Sequence, residues 1–76
     1  MTHTVKGSGV RKGMLVKSRL GVRLIVDDAS DAWWSVRRAR KDWLPDTRCM
    51  GWSAHLDPNS EWEVCGWRTE PPRVNQ

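Results

Sequence analysis

Between Met14 and Val26 the chain alternates twice around a glycine. Met14, Val16 and Ser18 stand against Leu15, Lys17 and Arg19. After Leu20-Gly21, Val22, Leu24 and Val26 stand against Arg23, Ile25 and Asp27. A period of two marks a strand with one buried face, and a glycine at the bend takes a positive φ without a Cβ clash. The segment therefore predicts a β-hairpin. With 76 residues there is room for one domain only. The hairpin must then be the seed of a single small sheet, and a large cofactor fold is excluded.

The rest of the chain extends that sheet. Met50, Trp52, Ala54 and Leu56 alternate with Gly51, Ser53 and His55, which predicts a strand with the first set inward. Asp57-Pro58-Asn59-Ser60 is a turn signal, and Trp62 and Val64 then alternate with Glu61, Glu63 and Cys65 up to Gly66. The stretch from Asp28 to Leu44 admits two readings. As a helix over 29–42, Ala29, Ala32, Trp33, Val36 and Ala39 share a face that Trp43 continues, and Asp28 caps its start. As strands, Asp28 to Asp31 form a turn, Trp33 to Ala39 form a strand with Trp34 and Val36 inward, and Lys41 to Thr47 form a loop. The strand reading lets the sheet continue and is preferred. The organisation expected is a flexible Gly-rich arm over 1–10, a domain over 11–67 and a disordered tail over 68–76 containing Pro71-Pro72.

Aromatic composition matters at this point. The chain has six Trp and neither Phe nor Tyr. Trp must supply any aromatic core, and Trp52 and Trp62 are the inward candidates. Trp33 and Trp34 are adjacent, so a strand buries one and presents the other.

Five short strands beginning at Lys12-Gly13-Met14-Leu15-Val16 resemble a small five-stranded barrel of the Src-homology-3-like type, shared by Tudor, KOW and related bacterial and phage modules. The resemblance rests on Gly13 to Val16, the turn at Gly21, the acid-ended run Val22 to Asp28, the Trp-rich run Trp33 to Arg38 and the turn at Asp57 to Ser60. It covers Arg11 to Trp67 and implies a mostly-β barrel used for binding. Aromatic cages in Tudor modules draw on Tyr and Phe, which argues against methylated-residue recognition here.

Charge is unevenly spread. Residues 1–41 carry +7 and residues 42–76 carry −3. A basic half suits a polyanion, because Lys and Arg displace counterions from phosphates. Residues with GC-rich codons (Gly, Ala, Arg, Pro) number 23 against 7 with AT-rich ones (Phe, Tyr, Ile, Asn, Lys). That bias suggests a high-GC bacterium or one of its phages and accounts for part of the Arg excess.

Motifs for catalysis are weak. Gly7-Ser8-Gly9-Val10-Arg11-Lys12-Gly13 has Lys before Gly, whereas a phosphate loop needs Gly-Lys followed by Ser or Thr. Cys49, His55, Cys65 and His3 lack the paired short spacing of zinc sites. Cys49 and Cys65 are expected as free thiols, because the N-terminus carries no apolar signal segment and a cytoplasmic location is inferred. Ser53, His55 and Asp57 are close by strand alternation alone. Asp27, Asp28 and Asp31 suit a turn or cap.

The expectation is a non-enzymatic binding module without a cofactor, metal or membrane span. Nucleic acid is the first partner, held by Arg11, Lys12, Lys17, Arg19, Arg23, Arg37, Arg38 and Arg40 with Trp33 or Trp34 stacking on bases. A protein partner, docked on the same Trp, is the alternative.

Overall fold

The structure is a computed structural model that describes residues 3–68. It is mostly β, as the alternation requires. Strands β1 (His3–Lys6), β2 (Met14–Lys17), β3 (Arg23–Ser30), β4 (Trp33–Arg38), β5 (Trp52–His55) and β6 (Glu61–Trp67) form one antiparallel sheet in the order β1-β6-β2-β3-β4-β5. A single 3-10 turn, Gly7–Gly9, follows β1.

The predicted hairpin is present. Leu15 pairs with Ile25, Val16 with Leu24 and Lys17 with Arg23. Gly21 sits in the connection at φ 87°, the left-handed region that a side chain would penalise. The helix considered over 29–42 does not form. Its residues complete β3, make β4 and enter the following loop, because Trp34 and Val36 gain a buried strand face beside Val26 and Ala29.

Three expectations are corrected. The sheet has six strands and is not closed, since the edge strands β1 and β5 do not pair. The supposed arm contributes one of the six: His3 to Lys6 pair with Val64 to Glu61, and Gly7 donates its N–H to the Ser60 carbonyl at 2.6 Å. Gly7 is buried so closely that a Cβ there would strike the Asp57 carbonyl. The turn placed at Asp28 to Asp31 is shorter, because β3 runs on to Ser30 and Asp31 takes φ 49° at the bend. The tail expected over 68–76 lies outside the described residues from 69 onward.

The sheet curls around one apolar cluster. Val10, Met14, Val16, Leu24, Val26, Trp34, Val36 and Leu56 are buried in it, with Val5, Val22, Ala29, Ala54, Trp62 and Val64 packed against them. Trp34 on β4 meets Trp62 on β6 edge-on at 5.0 Å between ring centroids. Three inter-strand steps separate these strands, about 14 Å on a flat sheet, so the contact needs curvature as well as two long side chains. The β5–β6 connection follows the curl: the Leu56 N–H donates to the Ala32 carbonyl at 2.6 Å and the Ser8 N–H to the Pro58 carbonyl at 3.2 Å.

A second, smaller apolar contact lies on the convex face. Ile25 is only 2% exposed although its position in the alternation is outward. It sits beside Leu15, Trp43, Leu44, Pro45 and Trp67. The loop after β4 is held over it by an Ala39–Pro45 bridge and by Arg40 N–H to the Leu44 carbonyl at 2.9 Å.

Candidate nucleic-acid interface

A bulge in β3 decides where the charges go. Val26 pairs with Val36 but Asp28 pairs with Ser35, leaving Asp27 as the extra residue. A bulge re-aims its side chains, and here the Asp27 carboxylate accepts two hydrogen bonds from Arg37, from Nε at 2.7 Å and Nη2 at 2.8 Å. Arg68 Nη1 adds a third at 3.2 Å. This planar two-point pairing raises the Arg37 pKa further above its ordinary value, chiefly through the Asp27 hydrogen bond. Arg37 is therefore committed to the fold.

Arg38 follows it in the chain and faces elsewhere. At this end of the sheet the β2–β3 turn and the loop after β4 flank an open cleft of about 840 Å³. Five cations, Arg23, Arg38, Arg40, Lys41 and Arg48, line it with two carboxylates, Asp42 and Asp46, for a net charge of +3. Asp42 lies 3.6 Å from Arg40, and Asp46 lies 3.3 Å from Arg48. The Arg48 backbone N–H and then its guanidinium hold the Asp46 carboxyl below the usual carboxylate range. Arg23, Arg38 and Lys41 have no carboxylate within salt-bridge distance among the described residues. Arg23 lies over the Trp43 ring at 5.8 Å, a cation–π arrangement that leaves its charge in place.

Of the ten residues singled out from the sequence, Arg23, Arg38 and Arg40 meet in this cleft. Lys17 is 3.9 Å from Glu63 and Arg19 is 3.2 Å from Glu61, on the β6 side of the hairpin. The Arg11 guanidinium turns back to the Ser8 and Val10 carbonyls. Lys12 is exposed in the turn before β2. Trp34 is buried. Trp33 is 57% exposed and rests edge-on against His55, with centroids 5.9 Å apart. Trp33 starts β4 and Arg38 ends it, a separation of about 16 Å along the strand. The exposed Trp and the cationic cleft are thus at opposite ends of the sheet, and no aromatic side chain is among the residues that line the cleft.

Lys41 and Arg48 complete the cleft without having been picked out. Lys41 lay in the basic half and was a visible candidate. Arg48 lies in the acidic half, and only the return of the chain toward Ala39 through Pro45 brings it near.

The remaining motifs do not assemble into one group. The Ser53 hydroxyl is 2.7 Å from that of Ser35, His55 packs on Trp33, and Asp57 accepts the Asn59 N–H at 2.9 Å, so the three do not share a proton path. Cys49 and Cys65 are free thiols. Burial, and after it the Glu63 charge, push the Cys65 thiol pKa up, away from the thiolate a nucleophile needs. Among the described residues no cluster of His, Cys, Asp and Glu could hold a metal ion, and no helix is long and apolar enough to cross a membrane. Comparison with known proteins returned no match: no family model, no curated protein and no solved structure is similar to this chain.

Proposed function

We propose that this protein is a non-enzymatic module that binds nucleic acid through its phosphates, using the cleft between the β2–β3 turn and the loop after β4. One observation carries the reading. Arg23, Arg38 and Lys41, the cations there with no carboxylate in salt-bridge distance among the described residues, line the same open surface. Phosphates replace condensed counterions at such a site, and binding follows charge rather than base identity. The curled antiparallel sheet, the Gly21 hairpin and the turn before the last strand support a relationship to small Src-homology-3-like barrels. A cytoplasmic setting suits both the thiols and the ligand. The exposure of Trp33 favours a second reading, docking of a protein partner on that ring.

Salt separates the two. Three phosphate contacts give a slope of about −2.7 in log affinity against log salt, a loss of about 40-fold between 50 and 200 mM. Fluorescence anisotropy with mixed-sequence duplex and single-stranded oligonucleotides measures it. The triple variant R23A/R38A/K41A should abolish most of the slope. Absence of binding at low salt overturns the proposal.

A further inference from the structure

Trp52 is 44% exposed, although alternation sets it with Met50 on the inward side of its strand. The inward side is where it lies. Trp52 stands opposite Val36, a core residue, so its ring belongs to the concave face. It stays open because β5 is the last strand, and among the described residues no strand lies beyond it. This corrects the expectation that Trp52 is a core residue. Met50, just before the strand, is 89% exposed.

Register sets that ring beside the cations. Arg38 is two residues beyond Val36 on β4, so it shares a face with Val36 and is the diagonal cross-strand neighbour of Trp52. Such neighbours lie about 7–8 Å apart, within reach of an aromatic and a long side chain. Arg38 is exposed, lines the cleft and has no carboxylate in salt-bridge distance among the described residues. Cys49, a few residues before Trp52, lines the same cleft, so the chain itself leads from the cleft to the ring. The step between is tight. A Cβ on Gly51 would come within 2.9 Å of Arg37 Cγ and 3.0 Å of the Val36 carbonyl oxygen. A glycine lets the chain press this closely on β4, which holds Trp52 against the strand that carries Arg38.

We propose that Trp52 stacks on a base of a single-stranded nucleic acid whose phosphates lie in the cleft, an inference that rests on the phosphate-binding reading above. Cations alone are indifferent to bases. An open indole beside them is not, because every base has a π-face that can stack on it. A duplex keeps its bases paired and stacked on one another, so it can use the cleft but not the ring. Magnitudes decide between the two ligands. With three phosphates contacted, the steeper counterion release of a duplex is worth about threefold at 150 mM salt. One base stacked on an aromatic ring is worth about fivefold or more. Trp52 thus takes the role that the sequence suggests for Trp33, which stands at the far end of β4 from Arg38.

Fluorescence anisotropy of the full chain with two labelled probes tests this. One is an oligothymidylate of about 20 nucleotides, and the other is an abasic sugar–phosphate strand of the same length. The abasic strand should bind about fivefold or more weakly, with the same salt slope, because its phosphates are unchanged. Trp52→Ala should remove that difference and Trp52→Phe should keep most of it, whereas Trp33→Ala should leave it intact. Affinity for a duplex of the same length should be unaffected by Trp52→Ala. Near-ultraviolet circular dichroism of the Trp34–Trp62 pair verifies that each variant is folded. Equal affinity of the wild-type chain for the two probes, or a folded Trp52→Ala that preserves the difference, overturns the proposal and leaves the phosphate reading standing. Absence of binding to either probe at low salt overturns both.

Discussion

The convex face around Asp27 and the cleft beside the loop after β4 are both rich in arginine, and they treat it differently. At Asp27 one carboxylate accepts from Arg37 and Arg68, and the charges are spent on one another. In the cleft Arg23, Arg38 and Lys41 have no carboxylate within salt-bridge distance among the described residues. Arg37 and Arg38 are adjacent in the chain, yet side-chain alternation sends one to each region. A count of basic residues therefore overstates a binding surface, and the useful count is of cations left unpaired by the fold.

The largest perturbation should erase the comparison altogether. Both regions hang on the same core, and Trp34→Ala removes its largest buried ring. The expected cost is about 3–5 kcal/mol, against a total stability of roughly 4–11 kcal/mol for a domain of this length. Thermal melting should show a chain near unfolding, with both the Asp27 contacts and the proposed nucleic-acid affinity lost together. A mild effect would mean that the Trp34–Trp62 contact is not central to the core.

Asp27→Ala should instead separate the regions. Both Arg37 and Asp27 side chains are 32% exposed, so solvent screening limits the loss to about 1–2 kcal/mol. Denaturant melts should register that loss while the salt slope of the proposed nucleic-acid binding stays at its wild-type value. A changed slope would show that Arg37 serves the ligand after all.

The smallest effect comes from acid. The folded state holds Asp46 below its ordinary pKa, so its contribution is complete above the usual carboxylate range and fades as pH falls through the depressed value. The difference in melting temperature between wild type and Asp46→Asn should accordingly be present at neutral pH and shrink below about pH 4. A difference that persists in acid would assign the effect to the loop backbone rather than to the charge.

Much of this architecture was legible. Two alternating runs around Gly21 gave the hairpin, Trp34 and Val36 were read inward on β4, and strands form at β5 and β6, although the exposure of Met50 (89%) and Trp52 (44%) corrects the expectation that both are buried. β1 was not legible, because His3 to Lys6 offers Val5 as its single apolar residue and its value lies in pairing with β6 and setting Val5 against the core. The burial of Ile25 was not legible for a related reason. Alternation names two faces but does not say that a distant loop, carrying Trp43, Leu44 and Pro45, will cover the second one. At the site, Arg23, Arg38 and Arg40 were anticipated, while Arg48 and the distance between Trp33 and the cleft were not.

Local sequence thus determined the hairpin of β2 and β3, the strands β5 and β6, the Gly21 turn and the inward set of the hairpin, because a period of two and a permissive glycine act within a few residues. Tertiary structure alone decided that β6 lies between β1 and β2, that the sheet ends at β5 with Trp52 uncovered, and which arginines are free. Those outcomes depend on strand order, on one extra residue at Asp27 and on carboxylates that reach cations of other segments, as Asp27, Glu61 and Glu63 do, whereas the Arg40–Asp42 and Arg48–Asp46 pairs are local. No local pattern encodes where such groups meet.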